Sequence, residues 1–591
     1  MRVIPHFAVI GLLLALVAPD ARAALYTVSP AGDDANPGTD AAPWRTLGHA
    51  ASVAVAGDTV ELLTGTYAER VLLTRSGTAE APITFRARAD NQPVIDGSTL
   101  ATSTGWTPLL WITGAGHITI QGLELTGLNT ATRRHVPIGI LVTGGAAEVR
   151  LLDNHIHHLG TTYPGADGGD AHGIAVYGDD TTPVAGLVIR GNHLHDLTLG
   201  SSEALVLNGN VDGFLVENNT VTDCNNIGID AIGHEGTAPS PELDAARNGV
   251  IRGNLVAGIS SFGNPAYGDA YAAGGIYVDG GRDILVERNT VRHCDIGIEL
   301  ASEHAGRSTS GIHVRNNLIH HNRIGGIFMG GYDRNRGSTV ACLVRHNTLF
   351  ENDANQYGNG EIHLQFDVRD TDIRDNLIVT NGQNLVLGNP YAENTGNTLD
   401  YNLVHTPGTP RWQWKKTNHN GLAAWRSASG QDAATLFADP NLLAPAAGDF
   451  GLRPRSPAID AGDPAFTPAS GELDHAGTPR LRNARSDIGA LEFDLLTFAC
   501  GTDRETASLS LVDGEPRLTL RRRTDWAGQA LVFTIEHSPD LGPETWTNAD
   551  SVTTESIVMP APSDGTERVT FAFPPPSGAR WFARVRIQTA P

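Results

Sequence analysis

An apolar residue, two variable residues, an asparagine, one variable residue and then Val, Ile or Leu recur along the middle of this chain. The nine asparagines in this frame are Asn154, Asn192, Asn219, Asn254, Asn289, Asn317, Asn347, Asn376 and Asn402. Successive copies lie 26 to 38 residues apart, a period typical of solenoids. The units are short and bounded by Gly and Asn, as in VRNNLIHHNRIGGIFMGG at 314–331, so they leave no room for a long helix. The pattern predicts an all-β chain, a right-handed parallel β-helix with the asparagines stacked at one tight corner.

One strand of each predicted coil can be aligned on a Gly-Ile-like corner, at 173–177, 204–208, 228–232, 275–279, 297–301, 326–330 and 361–365. Alternate side chains of a strand point to opposite faces. In this register the fourteen inward positions are all apolar: Ile174, Leu205, Ile229, Ile276, Ile298, Ile327 and Ile362, then Val176, Leu207, Ala231, Val278, Leu300, Met329 and Leu364. The same register places Asp230, Asp279 and Glu299 outward on three consecutive strands.

The ends of the chain differ from the repeats. Residues 1–23 have the features of a secretory signal, with Arg2, an apolar run at 7–18 and a small-x-small cleavage site, and the run is too short to span a membrane. The apolar spacing at 44–55 predicts a helix that caps the first coil. After residue 494 the pattern changes to alternating strands, which predicts a β-sandwich at 495–591. The β-helix with its cap and a C-terminal wrap is predicted at 24–494.

Three segments of the chain carry a resemblance to a known family. They are the stretch YTVSPAGDDANPGTDAAPWRTLGHAASVAVAGDTVELLTGTYAERVLL and the wrap-like segments at 437–464 and 487–493. Over residues 25–495 the chain resembles secreted β-helix proteins that act on polysaccharides, including pectate lyase relatives. The resemblance implies an exported, extracellular or periplasmic protein with a polysaccharide or oligosaccharide substrate. It carries more information about fold than about the sugar.

Composition excludes other classes of partner. The formal charge of −23 and a pI near 5.3 argue against nucleic acid, which needs clustered Lys and Arg. Four cysteines in 591 residues do not make a disulfide scaffold, and we expect Cys224 and Cys294 to be unpaired and buried. We expect a monomer without a membrane span.

The outward acids Asp230, Asp279 and Glu299 form the predicted catalytic cluster, on what we expect to be a solvated sheet face. Long loops at 160–171, 233–249, 259–273 and 352–360 leave the coils beside this face and are predicted to wall a cleft. Residues on this face or just beyond it are predicted to bind the sugar: Asn208, Tyr277, Arg282, Phe328, Tyr332, His363 and Gln365.

Three functions fit this pattern. A glycoside hydrolase would use two of the carboxyls as acid and base and would need no cofactor. A polysaccharide lyase of the pectate type would use the acids to hold Ca²⁺ and would need a separate base. Both lysines, Lys415 and Lys416, lie beyond the repeats, so the base would be Arg282, Arg323, Arg334, Tyr277 or His363. This difficulty ranks hydrolysis first, and a non-catalytic carbohydrate-binding β-helix is the third possibility.

Five histidines lie near two ladder asparagines rather than near the acidic strands: His155, His157, His158, His193 and His195. They resemble a zinc site in composition, but no supporting ligand geometry is visible in the sequence. Whether a metal is bound stays open at this point.

Overall fold

The computed structural model describes residues 23–494 and seven further strands that lie between residues 507 and 589. The predicted signal peptide lies outside the described residues, apart from Ala23. Within the described residues no helix is both long and apolar enough to cross a membrane.

Three 13-stranded sheets run the length of residues 25–437, and each coil adds one strand to each sheet in turn. All neighbouring strands in them are parallel, except for the final hairpin of the first sheet at 411–420. The chain is therefore an all-β parallel β-helix, as predicted.

Sheet 1 carries the predicted site. Its strands are Val71–Leu73, Gly105–Thr113, His135–Thr143, His172–Gly178, Leu205–Gly209, Ile229–Ile232, Gly274–Asp279, Ile296–Ala301, Gly325–Met329, Ile362–Leu364, Leu385–Gly388, Arg411–Trp414 and Thr417–Asn420.

Sheet 2 follows sheet 1 in each coil. Its strands are Leu25–Val28, Thr59–Leu62, Ile83–Ala87, Ile118–Gln121, Val149–Leu152, Val184–Arg190, Val211–Glu217, Val250–Arg252, Leu285–Glu287, His313–Arg315, Leu343–Arg345, Asp372–Arg374 and Thr398–Asp400.

Sheet 3 completes each coil. Its strands are Gly65–Tyr67, Pro93–Asp96, Glu124–Thr126, His155–His157, His193–His195, Thr220–Thr222, Leu255–Ala257, Thr290–Arg292, Leu318–His320, Thr348–Phe350, Leu377–Val379, Leu403–His405 and Leu436–Phe437.

Shorter elements flank these sheets. The two α-helices of the described residues are Leu47–Val53 and Leu422–Ser429, and the short strands and 3₁₀ turn are Asn129–Thr130, Gly160–Thr161, Ser308–Ser310, Ser338–Val340, Val368–Arg369, Leu442–Ala444, Pro445–Ala447 and Asp449–Leu452. The Thr46 side chain accepts a hydrogen bond from the His49 amide and so starts the first helix. Its apolar side packs on the strands at 25–28 and 71–73, and its role as a cap stays a prediction.

The asparagine ladder forms as predicted at the corner between sheets 2 and 3. Each Oδ1 from Asn192 to Asn402 accepts hydrogen bonds from the backbone and side-chain amides of the ladder asparagine one coil earlier, at 2.9–3.1 Å. The residue before each ladder asparagine has a left-handed φ. Most of these positions carry Asp, Asn, His or Gly, which tolerate that conformation best.

The predicted register of sheet 1 is confirmed at every rung. Ile229 pairs with Ile276, Ile276 with Ile298, and Ile298 with Ile327, and all four side chains are buried in the central core. Because the inward side is fixed, the alternate residues must face outward. Cys224 and Cys294 are free and buried, as expected.

The segment after the last coil packs back on the outer face of sheet 3. Phe450, Leu452 and Ile488 form an apolar cluster with strand residues that include Phe350 and Leu377. The buried Arg480 pairs with Glu492 at 3.0 Å in the same segment.

The C-terminal strands form two antiparallel sheets. One contains Ala507–Val512, Glu515–Arg523, Thr566–Ala572 and Thr553–Val558, and the other Thr547–Asn548, Leu531–Ser538 and Phe582–Thr589. Their packing as a sandwich and the domain boundary at residue 494 stay predictions.

Candidate active site

The three predicted acids do share the outer face of sheet 1. Asp230 pairs with Tyr277 and Tyr277 with Glu299, so the two acids flank the tyrosine in one outward column. Asp279 lies two residues along the strand from Tyr277. From strand geometry, its Cα lies about 8 Å from those of Asp230 and Glu299.

The expectation that these acids lie on a solvated face is wrong. Asp230, Asp279 and Glu299 are 1%, 4% and 7% exposed. Other carboxyls lie close enough to these three acids to act on them electrostatically. We call Asp230, Asp279 and Glu299 the acid floor.

Four more carboxyls surround the acid floor, and sequence reasoning did not find them. We call Asp170, Glu203, Glu235 and Glu303 the rim acids, since each lies on a turn or loop beside sheet 1 and acts electrostatically on the acid floor or on another rim acid. The only sequence signal was their position, within three residues of the ends of sheet 1 strands. Their convergence depends on loop conformation.

Burial and mutual repulsion disfavour ionisation throughout this cluster. Burial, followed by the charge of Glu303, raises the pKa of Glu299 to about 8. Burial, followed by Glu203, raises the pKa of Asp230 well above its ordinary value. Burial and the rim acid Asp170 raise the pKa of Glu203 itself to about 8.

Asp279 differs from the other two floor acids. Burial and Glu303 raise its pKa well above the ordinary value, and its Oδ1 accepts a hydrogen bond of 2.8 Å from the Glu303 backbone amide, which partly opposes that rise. Within the part of the chain that the structure describes, no hydrogen bond is among the main causes of the pKa shifts of Glu299 and Asp230. Asp279 is therefore the floor acid whose carboxylate oxygen has a backbone donor within hydrogen-bond distance.

Two buried oxygens on this face have no hydrogen-bond partner among the described residues: Asp230 Oδ1 and Asn208 Oδ1. Leaving such atoms unpaired costs about 1–3 kcal/mol each. Such unpaired oxygens can accept a hydrogen bond from a hydroxyl group or act as ligands to a hard cation.

The predicted sugar-binding residues are only partly brought together. Asn208 and Tyr277 are buried on the acid face, whereas Tyr332 is 45% exposed. The Arg336 guanidinium lies over the Tyr332 ring, and burial, Glu303 and Asp279 raise the pKa of Tyr332. Gln365 is half-buried, and its Oε1 has no hydrogen-bond partner.

Three of these residues have other surroundings than expected. Phe328 is buried against Ile296, Ile324 and Tyr271, so it forms a wall rather than an open stacking surface. His363 packs on the Phe328 ring, with burial lowering its pKa to about 4. The backbone of Arg282 forms β-bridges with Arg247 and Ser310 beside sheet 2, and its guanidinium lies 3.6 Å from the Asp283 carboxylate. Arg282 therefore lies off the acid face because the chain has already turned towards sheet 2.

An aromatic platform lies on the N-terminal side of the acids. The Trp106 and Tyr177 rings stack at 4.9 Å, and Trp106 is half-exposed. The Tyr177 hydroxyl contacts His172 Nε2 at 3.1 Å, while His172 Nδ1 lies 3.0 Å from the Glu203 carbonyl oxygen. Burial lowers the pKa of His172 to about 4, so the imidazole stays neutral and links the platform to the rim acids.

Two family models match this chain. A "Pel9A-like, right handed beta helix region" covers residues 26–169, and a "right handed beta helix region" covers residues 108–342. Protein YwoF of Bacillus subtilis strain 168 is 43% identical over 433 residues, which is 73% of this chain and 91% of YwoF.

Two further proteins are similar to this chain, one over a short segment and the other at low sequence identity. Pectate lyase PEL9 of Emericella nidulans is 39% identical over 90 residues, 15% of this chain and 22% of that enzyme. The crystal structure of a GH136 lacto-N-biosidase from Eubacterium ramulus has a TM-score of 0.46 and 16% identity, over 65% of this chain and 68% of that one.

Proposed function

Because the chain belongs to the pectate-lyase-like superfamily of right-handed β-helix proteins, we propose that it is a secreted polysaccharide-degrading enzyme, and specifically a glycoside hydrolase. The observation that carries the proposal is that two carboxyls in different surroundings share this face: burial and Glu303 raise the pKa of Glu299 to about 8, and Asp279 Oδ1 accepts a hydrogen bond from the Glu303 backbone amide. Hydrolysis of a glycosidic bond needs one protonated and one ionised carboxyl.

The roles follow from these environments. Glu299, with its pKa raised to about 8, donates a proton to the glycosidic oxygen at neutral pH. Asp279 accepts a proton from the attacking water. A separation of about 6.5–9.5 Å between the carboxyls leaves room for that water and leads to inversion. Asp230 and Asn208 hold substrate hydroxyls through their unpaired oxygens.

A calcium-dependent lyase is the second candidate, and the unpaired oxygens favour it as well. Hard oxygen donors from Asn208, Asp230, Asp279 and Glu299 fit Ca²⁺, which would neutralise a uronate carboxylate and the crowded acids. The difficulty is the base. Arg323 pairs with Asp295 at 3.5 Å and Arg334 with Glu393 at 2.7 Å. Arg336 donates a hydrogen bond of 3.2 Å to the Glu303 carbonyl oxygen, and its charge partly offsets the rise that burial causes in the pKa of that rim acid.

The test is a screen of plant and algal polysaccharides with the purified full chain. Hydrolysis produces new reducing ends without ultraviolet absorbance, elimination produces an unsaturated, absorbing end, and a binding protein produces neither. We expect reducing ends alone, unaffected by chelator. Absorbing products that vanish with chelator and return with Ca²⁺ would put the lyase first.

Substitution of the two proposed catalytic residues tests the site. Asp279→Asn and Glu299→Gln are nearly isosteric, and each should lower turnover by about 10²–10⁴-fold because one proton transfer is lost. Glu80→Gln, at an exposed acid far along the chain, is the matched control and should be silent. Wild-type turnover in both site variants on a confirmed substrate would show that the acid floor is not catalytic.

A further inference from the structure

The histidines of sheet 3 form a compact group on the outer face of that sheet. His155 pairs with His193 and His157 with His195 on adjacent strands, and the residue between each pair, Ile156 or Leu194, points into the core. All four imidazoles therefore face outward. We call His155, His157, His193 and His195 the histidine patch.

Stacking of the coils brings the ring nitrogens within bonding distance of one ion. The Nε2 atoms of His155 and His195 lie 2.6 Å apart on a diagonal between neighbouring coils. The ligand atoms of His155, His193 and His195 all lie within 4.8 Å of one another. Two nitrogens bound to a tetrahedral zinc ion at about 2.0–2.1 Å are separated by about 3.3 Å, so small side-chain rotations suffice.

A carboxylate orients one of these imidazoles. His195 Nδ1 lies 2.7 Å from Asp196 Oδ2, which holds the proton on Nδ1 and leaves Nε2 free to bind a metal. Metal-binding histidines usually have such a carboxylate or carbonyl partner on the second nitrogen. This contact cannot be read from the spacing of the histidines alone.

We propose that His155, His193 and His195 bind one divalent transition-metal ion, zinc or a neighbouring ion that prefers imidazole nitrogen, with a position left open for water. Three nitrogen ligands favour this class of ion over Ca²⁺ or Mg²⁺, which take oxygen. The site belongs to sheet 3 and shares no residue with the acid floor on sheet 1. It is thus independent of the proposed hydrolysis.

Other titratable groups face the histidine patch from the neighbouring strand and from its own coil. Glu124, whose Oε1 lies 3.2 Å from His157 Nε2, is the carboxylate facing the patch from the preceding strand, and Asp196 and His158 face it from its own coil.

The test is titration of the full chain, without a polyhistidine tag, with Zn²⁺ by calorimetry and with Cu²⁺ by electron paramagnetic resonance. We expect one Zn²⁺ per chain and a Cu²⁺ spectrum with splitting from several nitrogens. His155→Ala with His195→Ala should abolish this binding. Asp196→Asn should weaken it by about 10–100-fold, as other second-sphere substitutions do.

A matched control removes two imidazoles elsewhere on the coils. His313→Ala with His405→Ala should leave the Zn²⁺ affinity unchanged, and a thermal melt of every variant checks folding. Equal Zn²⁺ binding by the wild type and the His155/His195 variant would overturn the proposal. Retained binding in His193→Ala combined with loss in Glu124→Gln would overturn the assignment of His193, since Glu124, His155 and His157 also lie within 4.8 Å of one another.

Discussion

Glu299 illustrates, at the scale of single residues, how burial changes the chemistry of an ordinary carboxyl. Its pKa rises from an ordinary value of 4.5 to about 8 because the strand and the overlying turns remove water and because Glu303 lies nearby. A carboxyl held in its protonated form can donate a proton at neutral pH, which an exposed glutamate does only in acid. The stored repulsion also makes this region costly to stability.

The raised pKa leads to a pH-dependent stability. Below 4.5 the group is protonated in both the folded and unfolded states, and stability is unaffected. As pH rises from 4.5 towards about 8, the unfolded chain releases the proton while the folded chain keeps it, so the folded state loses stability. We expect the melting temperature to fall between about pH 5 and pH 8, and Glu299→Gln to make that fall shallower.

Differential scanning calorimetry across this range measures the effect. Glu80→Gln, an exposed control, should follow the wild type. Identical slopes for the wild type and Glu299→Gln would mean that Glu299 ionises normally. Addition of Ca²⁺ separates the two proposed functions, since a calcium site would restore stability at the upper end of the range by neutralising the same acids.

The asparagine ladder is the feature that holds successive coils together at the scale of elements. Asn289 connects three coils: its Oδ1 accepts from Asn254, and its Nδ2 donates to Asn317 and to the Ile251 carbonyl oxygen. The side chain is fully buried, so water cannot replace these partners.

Asn289→Ala should therefore lower the free energy of unfolding by about 1–3 kcal/mol, because several buried groups lose a partner at once. Denaturant unfolding followed by circular dichroism measures it. Asn335→Ala, at an exposed loop asparagine, is the control and should change the free energy by less than about 0.5 kcal/mol. A change at Asn289 no larger than that of the control would mean that the ladder adds nothing to stability.

The organisation of the whole molecule predicts that the β-helix is self-sufficient. The segment at 437–493 covers the outer face of the later strands of sheet 3 through Phe450, Leu452 and Ile488, and Arg482 pairs with Asp494 at 2.8 Å at its end. A chain that ends at Asp494 keeps all of these contacts and both proposed sites.

We expect that truncated chain to be soluble, to melt cooperatively and to retain any turnover on the substrate found in the screen. A shorter chain that ends at Phe437 is the control. It should be far less stable, because strand residues such as Leu377 and Leu403 lose the apolar cover of the wrap. Loss of both soluble expression and turnover at Asp494 would show instead that the C-terminal strands are part of the working enzyme.

The repeat, the strand register and the outward position of the three floor acids were predictable because all of them depend on local order along the chain. A frame that recurs once per coil sets the corner, and the two-residue alternation of a strand then assigns every side chain to one face. Ile229, Ile276 and Ile298 stack as the pattern requires, so Asp230 and Glu299 must face outward.

Only the tertiary structure determined how that outer face is covered. The rim acids come from turns whose conformations no period describes. Glu203 and Glu303 are among the charges that raise the pKa of Asp230 beyond the effect of burial, and Glu303 does the same for Glu299. Arg282 shows the opposite effect. It is close to Asp279 in sequence but lies off the acid face, because the chain turns towards sheet 2 between the two residues. The diagonal contact of His155 with His195 likewise requires two coils in register, a relation between residues 40 positions apart. Local alternation therefore specified the faces, whereas the packing of loops and coils across sequence distance brought together the carboxyls of one face and the imidazoles of another.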